Sequence, residues 1–351
     1  MGLWPALVIC LAALTAAAQR TTSPARELRR IDGSRISINA ADAKIRTAMA
    51  KAHVSGLQVA VLNHGDVVYV HSFGFADAAK QRKLTPSTIM YGASFTKAVF
   101  AYAVMHLVDE GRLDLDRPLY EYLAHPLGEY ESYKDIAADD RYKQITARIV
   151  LDHSTGFANW RWLQPDHKLK FAFAPGERYA YSGEGIQLLQ LAVENITHAP
   201  ADKLMEDTVF SPFHMTRTNM TWRSDFAPDF AHGYDEQGND LGHRQRDKVQ
   251  AAGSMDTTIE DMAKFLAGVL RHRGLSDRAF KEMVRPQIRI RSKQQFPTLS
   301  TETTHENDDI QLSYGLGWGV FRRLTVPHSS KRDTMTAGRT TCLHSGARGP
   351  Q

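Results

Sequence analysis

The sequence predicts an α+β fold with two lobes: an antiparallel sheet lobe flanked by helices, and an all-helical lobe. Strand patterns lie near both ends, at 56–77 and 314–320, and helical patterns fill the region between them. The chain has 351 residues, of which 42% are hydrophobic and 23% charged, so it can form a large soluble domain. We place the sheet lobe at about 40–90 and 240–346, and the helical lobe at about 91–239.

The strongest strand signal is a hairpin within residues 56–77. Two runs rich in β-branched residues flank the turn residues 63–66, an arrangement typical of antiparallel hairpins. A helix is predicted before it, over 40–52, and a separate strand over 314–320.

Three helical regions are predicted after the hairpin. The segment after Ser94 is apolar on nearly every side, which indicates a helix buried all round, with Gly111 as the glycine just past its end. Residues 120–219 carry helical patterns with long loops. Residues 258–270 predict a further helix, and two overlapping pairs offer a capping box at its start: Thr257 with Glu260, or Thr258 with Asp261.

The N-terminal segment predicts export. Residues 1–18 are apolar from Leu3 and end in three alanines, as secretory signal peptides do, so we expect a periplasmic or secreted protein. An uncleaved anchor with transient membrane association is the alternative. Residues 19–39 are expected to be a loose polar lead-in. Removal of Cys10 with the segment would leave Cys342 alone, so the core must supply the stability.

Composition and motifs exclude several functional classes. The net charge is +4 and the basic residues are scattered, which argues against a nucleic-acid groove. The sequence contains neither a P-loop nor a Gly-x-Ser-x-Gly nucleophile elbow. The 15 histidines show no His-Glu-x-x-His spacing, so we expect no metal and no cofactor.

Ser94 and Lys97 are the main candidates for catalysis. Residues three apart share one face of a helix, so Lys97 can reach the Ser94 oxygen. Serine needs a neighbouring base to act as a nucleophile. Lysine can be that base if burial or nearby positive charge lowers its pKa towards neutrality. The alternative is that Ser94 only caps the helix through its side chain.

Two further clusters stand out. Residues 175–183 (PGERYAYSG) precede an apolar helix, and His344-Ser345-Gly346 lies near the end of the sequence. Taken alone, Tyr181 is better explained as a core tyrosine under that helix, and His344 as a surface histidine in a frayed tail.

Together these clusters resemble the three motifs of the serine β-lactamase and penicillin-binding-protein superfamily, in order and approximate spacing. The similarity is greatest to the branch of class C β-lactamases, D,D-carboxypeptidases and related esterases. It covers about 40–346 and includes non-catalytic stretches such as His153-Ser154-Thr155-Gly156. The resemblance implies a β-lactamase/transpeptidase-like fold and an exported serine hydrolase acting on amide or ester bonds of a small molecule or peptide.

The resemblance also implies roles. Ser94 would attack the carbonyl, Lys97 would accept or relay its proton, and Tyr181 would be the second acid/base. The backbone N–H groups of Ser94 and Ala347 would form the oxyanion hole. The implied substrate-binding residues are Ser182, Gly183, His344, Ser345 and Gly346.

The sequence departs from the family in three places. Gly183 stands where many members have Asn, and His344 where β-lactamases usually have Lys; both changes favour an esterase or D-peptidase over an efficient β-lactamase. After Gly346 the family adds two strands and a helix, whereas 347–351 read as an aberrant or truncated tail. We therefore expect a fold without the last strands and C-terminal helix, unstable or inactive as it stands. The alternative function is a catalytically inactive binding protein.

Overall fold

The computed structural model describes residues 27–30, 32–294 and 302–322, together with the backbone of 335–337. The predicted signal peptide at 1–18 lies outside the described residues. So do the predicted site residues His344, Ser345, Gly346 and Ala347.

The described residues form seven α-helices and thirteen strands. The helices are α1 (Ile38–Lys51), α2 (Phe95–Asp109), α3 (Ala147–Leu151), α4 (Gly183–Thr197), α5 (Ala201–Met205), α6 (Ile259–Leu270) and α7 (Asp277–Val284). The strands are β1 (Glu27–Arg29), β2 (Arg35–Ser37), β3 (Gly56–Asn63), β4 (Asp66–Asp77), β5 (Arg82–Lys83), β6 (Met90–Tyr91), β7 (Gly233–Tyr234), β8 (Asp240–Gly242), β9 (Asp256–Thr257), β10 (Ile288–Arg289), β11 (Ser313–Tyr314), β12 (Gly319–Arg322) and β13 (Met335–Ala337).

Single turns of helix replace regular helices in much of the predicted helical lobe. Pro118 and Pro126 stand directly before two of these turns, and a proline cannot continue a preceding helix. The 3-10 turns are Leu119–Tyr122, Leu127–Glu129, Glu131–Ile136, Asp140–Gln144, Arg161–Leu163 and Ser224–Phe226, and one π turn covers Glu206–Phe210.

All pairings between the described strands are antiparallel, as predicted. β3, β4 and β5 form one sheet, and β10 to β13 form another in sequence order. The pairs β1–β2, β6–β9 and β7–β8 complete the set. The α+β class and the 56–77 hairpin are confirmed, with a register shift in β3 between Val61 and Leu62.

Helix ends also follow the sequence signals. Thr258 caps α6, since its side chain accepts a hydrogen bond from the Asp261 N–H at 3.1 Å. Gly111 follows α2 with a φ of +70°, a conformation that glycine adopts without strain. Among the described residues, no helix has both the length and the apolar character needed to cross a membrane.

Two predictions of local structure are wrong. Residues 314–320 form two strands rather than one, because Gly317 turns the chain with a φ of +84°. A Cβ at Gly317 would lie 2.2 Å from that of Ala101, so the turn lies directly on α2. The lead-in at 19–39 is also not loose throughout, since Glu27–Arg29 and Arg35–Ser37 pair as strands.

Helix α2 forms the centre of the core. Every residue from Thr96 to Met105 is buried, as its apolar character on all sides predicts. Its N-terminus adjoins the β6–β9 pair, where the Gly92 N–H donates to the Met255 carbonyl at 2.8 Å. This pair fixes the turn that carries Ser94.

Candidate active site

Ser94 and Lys97 meet at the N-terminus of α2. The Lys97 Nζ donates to the Ser94 Oγ at 3.2 Å and to the Ala252 carbonyl at 2.5 Å. Lys97 is only 1% exposed, whereas Ser94 is half-buried. A buried amine therefore contacts a hydroxyl that is open to the surface.

The capping alternative for Ser94 is wrong. Ser94 occupies the N-cap position, but its side chain makes no capping hydrogen bond and its backbone is already helical. The preceding residue, Ala93, has a φ of +44°, which is strained for a residue with a Cβ. The Thr96 hydroxyl supports this turn, since it donates to the Ala93 carbonyl and accepts from the Met255 N–H.

Tyr181 also lies close to Lys97. The Lys97 Nζ is 4.9 Å from the centre of the Tyr181 ring. Tyr181 is also a core tyrosine, 6% exposed and packed with Tyr179, Ile290 and Tyr314. The interpretation of Tyr181 as a core tyrosine is therefore confirmed, and the fold also brings it close to Lys97 and Ser94, which is 87 positions earlier in the chain. Their chemical roles stay predictions.

His153 positions the segment that carries Tyr181. Its Nδ1 accepts from the Ser182 N–H at 3.2 Å, and its carbonyl accepts from the Ala180 N–H at 2.8 Å. Its ring lies 4.4 Å from the Tyr181 ring, and it is 1% exposed. The sequence showed His153 only as part of a flanking stretch, and its positive φ of 61° could not be read there.

Asp152, next to His153, is a buried carboxyl group. Its Oδ1 accepts from the Ser154 N–H at 3.0 Å and from the Ser154 hydroxyl at 2.5 Å. Burial raises the pKa of Asp152 to about 7, against the lowering effect of these bonds and of Arg148. The turn that holds Tyr181 thus contains a group that titrates near neutral pH.

Ser182 serves the fold with its side chain. Its hydroxyl donates to the Ala158 carbonyl at 2.9 Å and accepts from the Gly185 N–H at 3.1 Å, which caps α4. Since Ser182 is 1% exposed, these bonds give its side chain a structural role beside Tyr181. The predicted contact of Ser182 with substrate stays a prediction.

Gly183 lies under an aromatic ring. A Cβ at this position would be 2.5 to 2.8 Å from three carbons of the Trp160 indole. The indole thus occupies the space that a side chain at 183 would need, and its centre is 5.6 Å from the Lys97 Nζ. Trp160 is a second site residue that its place in a long loop did not reveal.

Two glutamines of α4 hold the backbone that contacts Lys97. The Gln190 Oε1 accepts from the Ala251 N–H at 2.7 Å, and the Gln187 Oε1 accepts from the Ala252 N–H at 3.3 Å. The available signal was two glutamines three residues apart in the otherwise apolar run 186–191.

One group of described residues has the composition of a metal site. Ligand-type atoms of Asp77, His232 and Asp240 lie within 4.8 Å of one another. His232 Nδ1 is 2.8 Å from the Asp240 carboxylate, and Asp77 accepts from the Lys80 N–H. These contacts account for the cluster as a hydrogen-bonded corner of the sheet lobe, so we assign it no ion.

Comparison with known sequences gives a family match. The family model described as Beta-lactamase matches residues 41–348. Protein flp of Staphylococcus aureus (strain NCTC 8325 / PS 47) is 27% identical over 208 residues, which cover 56% of this chain and 41% of that protein. Esterase EstB of Burkholderia gladioli is 26% identical over 217 residues, 53% of each. The chain spans about half the length of these curated relatives.

Two solved structures show the same fold. The octameric penicillin-binding protein homologue from Pyrococcus abyssi superposes with a TM-score of 0.63 at 21% identity, over 81% of this chain and 65% of that chain. D-alanine carboxypeptidase AmpC from Burkholderia cenocepacia gives 0.61 at 18% identity, over 81% and 74%. The predicted β-lactamase/transpeptidase-like fold is therefore confirmed.

Proposed function

The chain belongs to the Beta-lactamase family, and from this premise we propose that it is a serine hydrolase that forms an acyl-enzyme on Ser94. The observation that carries the proposal is the 3.2 Å contact between the Lys97 Nζ and the Ser94 Oγ, made by a lysine that is 1% exposed.

Lys97 suits the role of proton acceptor. The neutral amine is the form that accepts a proton, and burial disfavours the charged form of a side chain. Lys97 also lies in the first turn of α2, where the partial positive charge of the helix N-terminus disfavours a cation. Both effects support a base beside the nucleophile.

The proposed reaction has two halves. Ser94 Oγ attacks the substrate carbonyl while its proton passes to Lys97 Nζ, and the leaving group departs with a proton delivered through Lys97 or Tyr181. Water then attacks the carbonyl of the acyl-enzyme and gives one proton to Lys97 Nζ. That proton passes to the Ser94 Oγ as the ester bond to Ser94 breaks, and the carboxylic acid is released. We assign Tyr181 a share in this proton transfer, which is supported by the 4.9 Å between the Lys97 Nζ and the centre of the Tyr181 ring.

We propose esters as the preferred substrates. Gly183 offers no side-chain amide to an amide substrate, and the Trp160 indole takes that space. The similarity to esterase EstB supports the same preference. The signal-peptide pattern of residues 1–18 supports action outside the cytoplasm.

Covalent labelling tests the proposal. We expect a fluorophosphonate, and more slowly a fluorescent penicillin, to add one adduct to the wild-type chain by intact mass. Ser94→Ala should abolish the adduct, while Ser224→Ala, which changes an exposed serine, should keep it. A wild-type chain that gains no adduct over hours would support the alternative, a binding protein that uses the same cleft.

A further inference from the structure

The loop that carries Trp160 is clamped onto the N-terminus of α4. The Gly183 N–H donates to the Asn159 carbonyl at 2.9 Å and to its Oδ1 at 3.0 Å. Arg161 binds the buried Glu184 through its backbone N–H, at 2.9 Å, and through its guanidinium, at 2.7 and 3.0 Å. Residues on both sides of Trp160 are thus fixed, so the indole is held in place before any substrate arrives.

A second tryptophan extends the surface outwards. Trp162 stacks on Trp160 with ring centres 4.4 Å apart and planes 13° apart. Trp162 is 41% exposed, whereas Trp160 is half-buried and lies 5.6 Å from the Lys97 Nζ. The two rings form a continuous aromatic surface from the reacting amine to solvent, which we call the tryptophan wall.

We infer that the tryptophan wall determines substrate specificity and selects esters whose acyl group carries a flat apolar ring. This inference rests on the proposed function. Large fixed aromatic surfaces bind such rings through burial and offset stacking, at little entropic cost because the tryptophans are already ordered. Gly183 adds no polar group beneath the wall that would have to be desolvated.

Two esters that share a leaving group test the inference. The ratio of kcat/KM for p-nitrophenyl phenylacetate to that for p-nitrophenyl acetate isolates the acyl ring. We expect Trp162→Ala to lower this ratio about tenfold, the size of one lost aromatic contact. The matched control, Leu163→Ala, removes an exposed neighbour in the same 3-10 turn and should keep the ratio. An unchanged ratio in Trp162→Ala would overturn the inference.

A second variant disturbs the tryptophan wall by displacing Trp160. Gly183→Ala forces a methyl group to within 2.5 Å of the indole, so Trp160 must move and the ratio should fall as well. An unchanged ratio in Gly183→Ala would likewise count against a role of the tryptophan wall in specificity.

A binding measurement separates this inference from the proposed function. In Ser94→Ala, quenching of tryptophan fluorescence reports binding of the two intact esters without turnover. We expect the phenylacetate to bind about tenfold more tightly than the acetate, and the difference to vanish in Ser94→Ala/Trp162→Ala. Equal binding of both esters to Ser94→Ala would refute the wall even in an active enzyme, whereas tighter phenylacetate binding would support it even in an inactive one.

Discussion

Two buried helices of equal length begin with a serine and use it differently. Ser182 begins α4 with an extended backbone, and its hydroxyl caps the helix. Ser94 begins α2 with a helical backbone, and its hydroxyl accepts from Lys97 instead. The first turn of α4 also contains an acidic residue, Glu184, whereas that of α2 contains none.

The difference shows that the start of α2 lacks two stabilising features that the start of α4 has, as the chemistry proposed for Ser94 would require. A capping bond and an acidic first turn each stabilise a helix by roughly 1 kcal/mol. Helix α2 does without both and follows a strained Ala93, yet it persists because nearly its whole length is buried. Burial elsewhere in the helix thus offsets the lower stability of its N-terminal end.

The substitution with the largest expected effect on this comparison is Lys97→Met. It should slow acylation by a fluorophosphonate roughly 10²- to 10⁴-fold, because the proton acceptor is lost. The midpoint of urea unfolding should stay the same or rise, since a buried amine is replaced by an apolar chain of similar length. Lys203→Met, at an exposed lysine paired with Asp207, is the control and should leave acylation unchanged. Acylation of Lys97→Met at the wild-type rate would contradict the comparison.

The second test concerns how the free energy of unfolding depends on pH through Asp152, in the turn that supports α4. The Asp152 carboxyl has a folded pKa of about 7, against about 4 for an unfolded chain. Between these values the folded state keeps a proton that the unfolded state has released. The free energy of unfolding should therefore fall as pH rises from about 4 to about 7, by up to about 4 kcal/mol, and be level above that.

Asp152→Asn measures this contribution directly. Its unfolding free energy, from urea titrations at several pH values, should fall less than that of the wild type over the same window. Asp140→Asn, at an exposed carboxylate paired with Lys143, should retain the wild-type slope. Parallel profiles for Asp152→Asn and the wild type would show that Asp152 titrates as an ordinary carboxyl.

The smallest effect separates the two serines. Ser182→Ala should lower the free energy of unfolding by about 1–2 kcal/mol, because a cap and a buried hydroxyl bond are lost. Ser94→Ala should change it by less than about 0.5 kcal/mol, since no cap is removed. Equal losses in urea denaturation would mean that Ser94 also supports its helix.

Elements with a strong periodic pattern were predictable from the sequence. The hairpin, α1, α2 and α6 were all indicated by alternation, apolar faces or end signals, because local physics and the fold agree there. The turn at Gly317 was not, since its reason is contact with Ala101, more than 200 residues earlier in the sequence.

The candidate site likewise contains residues that local patterns predict and residues that only distant contacts bring in. Ser94 and Lys97 were predictable because one helical turn joins them. Trp160, His153 and Gln190 act across the fold, through contacts that no local pattern encodes. The roles of His344 to Ala347 stay predictions.

The hydrogen bond from Lys97 to residue 252 ends on a main-chain oxygen. Every amino acid carries that atom, so no replacement of Ala252 can delete it, although Ala252 is 1% exposed and a larger side chain would disturb the core packing. The path of the backbone here depends on the amides of Gln187 and Gln190. Substitutions of these two glutamines in α4 would therefore displace the backbone oxygen that accepts the hydrogen bond from Lys97.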